Sequence, residues 1–158
     1  MKKNTELELE AVDMYVLFAK MFAHITREVE NTCGEKGIQA VREGVRKFGE
    51  ERGAYIAKRA KEQGHEAVLD YYLSCYDMER SQQFESDDKI TEKGVEQLFT
   101  KCVFAEQWMK DGNQKYGIHY CEMIDPAIVK GYGSEYECIH DKHFFKDGCC
   151  HFIFHEKK

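Results

Sequence analysis

The sequence predicts a single α+β domain in which long N-terminal helices pack on a small antiparallel sheet formed by the C-terminal half. Apolar residues in the first part of the chain recur at helical spacing, whereas after residue 81 they fall in short, aromatic-rich runs. The 158 residues, 42% hydrophobic and 13% aromatic, supply enough apolar material for one core. No repeat, low-complexity tract or linker divides the chain, so 1–158 reads as one domain.

Residues 6 to 31 carry Leu7, Val12, Val16, Leu17, Met21, Ile25 and Val29 at spacings of three to five, the pattern of an amphipathic helix. The stretch TCGEKG breaks it. From about 36 to 63 a second helical stripe runs through Ile38, Val41, Val45, Phe48, Ile56 and Ala60, with Arg42, Arg46, Arg52 and Arg59 interspersed. Gly44, Gly49 and Gly53 each cost roughly 1 kcal/mol against alanine inside a helix, so their clustering points either to a neighbour packed close to that backbone or to a weak helix. Gly64 ends the stripe, and HEAVLDYYLSCYDMERS reads as a third, shorter helix. Val95 to Phe104 reads as a strand with Leu98, Cys102 and Phe104 facing one way. FAEQWMKDGNQKYG follows as a short helix and loop. Two further strands, EYECIHDKHF and CCHFIFHE, close the chain, joined through Asp147-Gly148, a dipeptide suited to a tight hairpin.

A formal net charge of -6, with 29 acids against 23 bases, excludes a nucleic-acid partner, because such binding needs a basic footprint. The start MKKNTELELEAVDMY places its lysines before acids and fails as a signal peptide. No apolar segment approaches the roughly 18 residues of a membrane span. A soluble cytoplasmic protein is expected, with no membrane partner. Seven cysteines, at 33, 75, 102, 121, 138, 149 and 150, are an odd count, and reduced thiols are the expected state. CxxC spacings are missing, so any metal would be assembled from distant residues.

Chemistry centres on GIHYCEMIDPA, residues 117 to 127. Cys121 and Asp125 share a face whether this segment is helix or strand, and with His119 nearby they have the parts of a nucleophile and its acid/base partners. The competing reading makes Asp125-Pro126 a helix start, with Asp as N-cap and Pro at the first helical position. Cys102 reads either as a small buried residue or as part of the same site. Cys138 and His140 point to one strand face and supply two ligands of a soft metal site if Cys102 or Cys121 joins them. Whether Cys149 or Cys150 faces that side is left open by the hairpin register. The histidines at 140, 143, 151 and 155 form either a site or a solvated hairpin. On the second helix, Arg52 and Arg59 share a side and suit either a substrate carboxylate or a solvated, salt-bridged face. No glycine-rich phosphate loop, GxSxG elbow or HExxH helix is present.

With these residues laid out, the chain resembles the L-2-amino-thiazoline-4-carboxylic acid hydrolase family. The resemblance lies in VREGVRKFGEERGAYIAKRA, in FTKCVFAEQW with Cys102, in GIHYCEMIDPAIVKGYG with Cys121 and Asp125, and in KDGCCHFIF with Gly148, Cys150 and Phe152. The last element is also similar to the tail of 4-vinyl reductase-type domains, small α+β ligand-binding modules. Where the family tends to carry Gly-Asp before its last cysteine, this chain has Asp147-Gly148 followed by Cys149 and Cys150. The resemblance implies hydrolysis of a cyclic amidine: water adds to the ring carbon between N and S, and the C–S bond opens to give an N-carbamoyl cysteine. On that reading a Cys121 thiolate attacks, Asp125 orients the amidinium and moves protons, and His119 or His140 assists departure of the ring sulfur. Cys102, Arg52, His140 and Cys150 border the substrate. The thiolate requires a pKa lowered by a helix N-terminus or a cation. Two alternatives stand beside this one: a zinc-dependent hydrolase with Cys102, Cys121, Cys138 and Cys150 as ligands, and a non-catalytic small-molecule-binding or sensor domain. The expected partner is a small-molecule substrate, with no cofactor unless zinc, and pairing of chains into a homodimer through the first helix is left open.

Overall fold

The computed structural model describes residues 11–78 and 82–158. Helix α1 spans Met14–Glu62 and is interrupted at Gly34, whose φ of 59° and ψ of -145° are open to glycine and strained for other residues. The break expected at TCGEKG is therefore real, and it divides α1 into two arms. A single turn, α2 (Leu69–Tyr72), follows, then strands β1 (Phe84–Thr91) and β2 (Gly94–Cys102), helices α3 (Val103–Lys110) and α4 (Gln114–Tyr132), strand β3 (Tyr136–Lys142), one turn of helix α5 (Phe144–Asp147) and strand β4 (Cys150–Glu156). The strands form one antiparallel sheet in the order β1-β2-β4-β3. The fold is α+β as the periodicity indicated. No helix among the described residues is long and apolar enough to cross a membrane.

The helices meet at a close crossing. A Cβ on Gly49 would press on the Ala127 side chain, and one on Gly53 would collide with the Ile128 carbonyl. From the other side, a Cβ on Gly131 of α4 would strike the backbone of Glu50. Small residues on both helices thus bring the backbones of α1 and α4 together. Gly44, one turn earlier, has nothing within 4 Å and takes no part. On the first arm the indole Nε1 of Trp108 donates to the Ala19 carbonyl at 2.7 Å, and Arg27 donates to Asn113 at 2.7 Å. Phe18, Phe22, Phe104, Trp108 and Tyr120 fill the space between as an aromatic cluster. The inner face of the sheet adds Val95, Gln97 and Phe99 from β2 and Cys150, Phe152 and Phe154 from β4.

Several local expectations are corrected. The first arm buries Ala19, Ala23 and Thr26, while Val12, Leu17, Met21 and Ile25 are exposed; Leu7 lies outside the described residues. Spacing told which residues share a face, but the face that meets protein is the one small enough to let α3 and α4 approach. The third helix shrinks to α2. Strand β1 had not been foreseen: FESDDKIT is charged at most outward positions, as an edge strand tolerates. Phe104 is not in a strand, because β2 ends at Cys102, which caps α3, and the inward residues are Val95, Gln97 and Phe99 instead of Leu98. Asp147-Gly148 is no two-residue hairpin either. Gly148, at φ 69°, ends α5, and only then does the chain enter β4.

The helix crossing predicts opposite responses from two glycines of one helix. Gly44→Ala should stabilise the protein by about 0.5–1 kcal/mol in urea unfolding, the ordinary helix-propensity gain. Gly53→Ala should destabilise it by about 3 kcal/mol, since the added methyl must push backbone apart.

Candidate active site

Asp125 does not cap a helix. Helix α4 begins at Gln114, and Pro126 lies in its interior, so the local helix-start signal was overridden by the packing of the whole element on α1. Continuity of the helix leaves Cys121 and Asp125 one turn apart on one face. That face borders a cavity of about 100 Å³, roughly three times the ~30 Å³ that a water occupies in the liquid.

Four segments meet there. Helix α4 brings Cys121 and Asp125, the second arm of α1 brings Arg52, the β2–α3 junction brings Cys102, and the sheet brings His140 and Cys150. Aromatic walls come from Tyr76, Phe84, Phe99, Phe104, Tyr120 and Phe152. The sheet register decides between the neighbouring thiols: Phe99 pairs with Cys150, so Cys150 shares the inner face with Phe152. Cys149 is not among the lining residues. Cys138 shares the inner face of β3 with His140, but it packs against the core without lining the cavity. His119 points elsewhere. It lies on the α4 face turned toward Arg42, whose guanidinium is 3.4 Å from His119 Nδ1 and 2.7 Å from Glu122. A wider groove of about 640 Å³ shares Tyr76, Met78, Phe84 and Phe99 with the inner cavity.

The electrostatics single out Asp125. Loss of water raises its pKa to about 6, and the lowering influence of Arg52 and of its own backbone amide is too small to reverse this. Arg52 is a weak counter-charge because it is already committed: its Nε and Nη2 fork onto Asp77 at 2.9 and 2.7 Å. The guanidinium also lies 5.4 Å from the Tyr76 ring centroid and 5.7 Å from that of Phe48. Burial followed by the neighbouring Cys102, Cys150 and Asp125 pushes the Cys121 thiol well above its ordinary value. Burial lifts Cys102 to about 11 although the amides of Ala105 and Phe104 at the start of α3 oppose it, and burial lifts Cys150 to about 12. The helix N-terminus that a reactive cysteine would want therefore serves Cys102, while Cys121 sits in mid-helix. His140 is lowered to about 4, first by burial and then by His143, against a weaker raising influence of the Lys142 backbone, and among the described residues neither ring nitrogen makes a hydrogen bond of good geometry. Its ring lies between His143, at 3.7 Å between centroids, and Phe152, at 4.2 Å.

The seven cysteines are free thiols. Among the described residues no three of His, Cys, Asp and Glu are placed to hold a metal ion, so the donor set of Cys102, Cys121, Cys138 and Cys150 does not fit zinc as it stands. Of the residues that complete the site, Phe152 was marked by the resemblance and Phe104 by its nearness to Cys102, whereas Asp77, Tyr76, Phe84, Phe99 and Tyr120 carried no sequence signal of their own. Asp77 follows Arg52 by 25 residues in a segment without regular structure, and only the fold makes them partners.

A family model described as L-2-amino-thiazoline-4-carboxylic acid hydrolase matches residues 14–154, nearly the whole chain. Among curated proteins and among solved structures, nothing matches.

An acid whose folded pKa lies above its unfolded value of 3.8 favours folding only when protonated. Its ionisation begins to cost stability as pH rises past about 4, and the full cost is reached above about 6. Asp125→Asn should therefore raise stability at pH 7.5 by on the order of 2–3 kcal/mol, and the gain should shrink to near zero by about pH 4. Urea unfolding at several pH values measures this directly. A carboxylate with a structural role would give a loss at neutral pH instead.

Proposed function

The chain belongs to the L-2-amino-thiazoline-4-carboxylic acid hydrolase family, and from that premise we propose that it opens the ring of a small cyclic amidine, L-2-amino-thiazoline-4-carboxylate or a close relative. One observation supports this reading above the others. A carboxylate with a pKa near 6 lies one helical turn from a thiol, on the wall of a cavity that shares lining residues with a wider groove of about 640 Å³. An amidinium is a flat cation with N–H donors, and it would supply Asp125 with a counter-charge and directional hydrogen bonds. Arg52 is the only guanidinium or ammonium group lining the cavity among the described residues. Two of its five N–H donors are engaged by Asp77, and the remaining ones suit the substrate carboxylate.

The chemistry follows from these pKa values. Cys121 is protonated in the empty site, so activation falls to Asp125 and the bound cation. The Cys121 sulfur forms a bond to the amidine carbon while its proton passes to the Asp125 carboxylate. The ring C–S bond then breaks, and the departing sulfur takes up a proton from Asp125. An S-linked isothiouronium on Cys121 remains. Water adds to its carbon with Asp125 as base, the Cys121 sulfur leaves and is reprotonated, and the product is an N-carbamoyl cysteine. Overall one water is consumed and one ring C–S bond is replaced by a carbonyl. Neutral His140 borders the same cavity and, on this reading, hydrogen-bonds the departing ring sulfur as an uncharged group.

The high pKa of Cys121 favours a second reading, in which Asp125 activates water for direct attack and the thiol only shapes the cavity. The two differ in what survives mutation. Turnover of L-2-amino-thiazoline-4-carboxylate, followed by release of the product thiol, should fall by about 10²–10⁴ in Asp125→Asn under either reading. Cys121→Ala should abolish turnover if the sulfur attacks, and should leave at least about a tenth of it if water does. Mass spectrometry of quenched wild-type protein should show the covalent adduct only in the first case. The rate should rise as pH passes through about 6, following ionisation of Asp125. Binding of cyclic amidines without turnover by the wild type would leave a binding domain and end the hydrolase reading.

A further inference from the structure

The first arm of α1, with Val12 just before its N-cap, carries an apolar face that is about half or more exposed. Val12, Met14, Leu17, Met21 and Ile25 are between 45% and 74% exposed. From Met14 to Ile25 they recur at steps of three and four, so they form one stripe more than three turns long. The remaining exposed positions over that length are His24 and, just beyond, Glu28. The cations of the arm are turned aside: Lys20 is held by Asp111 at 2.8 Å, and Arg27 is held by Asn113. Single exposed apolar residues are ordinary on a protein surface, but a contiguous charge-free stripe on a helix is the mark of an interface.

We propose that this stripe is the interface of a homodimer, in which the first arms of two α1 helices pack antiparallel about a two-fold axis at Met21. In that register Leu17 faces Ile25 of the second copy, Met21 faces Met21, and Met14 faces Glu28. The arrangement is isologous, as a two-fold requires. It opposes no like charges across the stripe, and it sets each Glu28 beside the N-terminal end of the other copy's helix, where a carboxylate is favoured by the backbone dipole. Met14, Leu17, Met21 and Ile25 at these exposures offer roughly 400 Å² per copy, so their complete burial on both copies would remove about 800–900 Å², the size of a weak, reversible interface. Among the described residues none from the first arm lines the cavity, so both copies would carry complete sites.

Sedimentation velocity of the full chain at micromolar concentration tests the proposal. The wild type should sediment with twice the chain mass. Met21→Lys and Met21→Glu should each be monomeric with unchanged circular dichroism, because like charges would then meet on the axis. An equimolar mixture of the two should regain the dimer through the ion pair formed between unlike copies. A monomeric wild type would overturn the proposal, as it would if residues 1–10 cover the stripe. Single variants that stay dimeric would overturn it by showing another interface, and a mixture that stays monomeric would overturn the antiparallel register.

Discussion

The backbone contact between α1 and α4 sets the geometry on which the site depends. Gly49 and Gly53 on one helix, with Ala127 and Gly131 on the other, leave no room for a second rotational setting of α4. With Ala127 and Ile128 pressed on α1, the face carrying Cys121 and Asp125 turns toward the sheet and the cavity. A side chain larger than glycine at the crossing would change the helix separation and the direction in which the carboxylate points. The cost of four small residues in helices, roughly 1 kcal/mol for each glycine in propensity, is accepted for a contact that larger residues could not make.

Around that crossing the protein assembles an environment hostile to charge. Aromatic rings and neutral thiols surround one acid, and the nearest cation, Arg52, is already satisfied by Asp77. An acid left this way is not a stabilising feature of the fold. It is one of the places where burial, charge and position work against stability, which is the pattern expected of groups kept for chemistry. The outer face of the same sheet shows the contrast. There His151 lies 2.6 Å from Asp141 and 2.8 Å from Glu96, and its pKa is raised because both carboxylates favour its charged form over the opposing effect of burial. That histidine is fully partnered by carboxylates, while His140 on the inner face has no carboxylate beside it to form an ion pair among the described residues and makes no hydrogen bond of good geometry.

The sequence shows some of this and hides the rest for definite reasons. A long helical N-terminal part and a sheet in the C-terminal half could be read because periods of 3.6 and 2 survive any packing, but helix α4, which lies between β2 and β3, was not legible as a helix. The common face of Cys121 and Asp125 could be read because it holds in helix and strand alike. Pro126 misled because Asp-Pro is a strong local start signal, and local signals yield where a long amphipathic element is already packed. The membership of Cys150, and the exclusion of Cys149, follow from the pairing of Phe99 with Cys150, a long-range register that no local pattern contains. His119 seemed near the chemistry because it is two residues from Cys121, yet two residues along a helix is a turn of about 200°. The partnership of Arg52 with Asp77 was hidden because it joins a helix to an irregular segment.

The energetic tension at Asp125 also bears on how a ligand would be held. Carboxylate burial costs free energy in the empty protein, and a bound cation that donates hydrogen bonds recovers much of it, so binding and ionisation of Asp125 are linked. The link runs both ways. A cationic amidine draws Asp125 toward its charged form, and the charged form holds the amidine more tightly than the neutral acid would. The same cation would lower the cost of ionising Cys121, whose pKa is raised first by burial and then by the neighbouring thiols and Asp125. On the proposed reading, selectivity and activation would share one origin: Arg52, the only cation lining the cavity among the described residues, is forked onto Asp77, and a ligand carrying positive charge would supply the counter-charge that the buried acid and thiol call for.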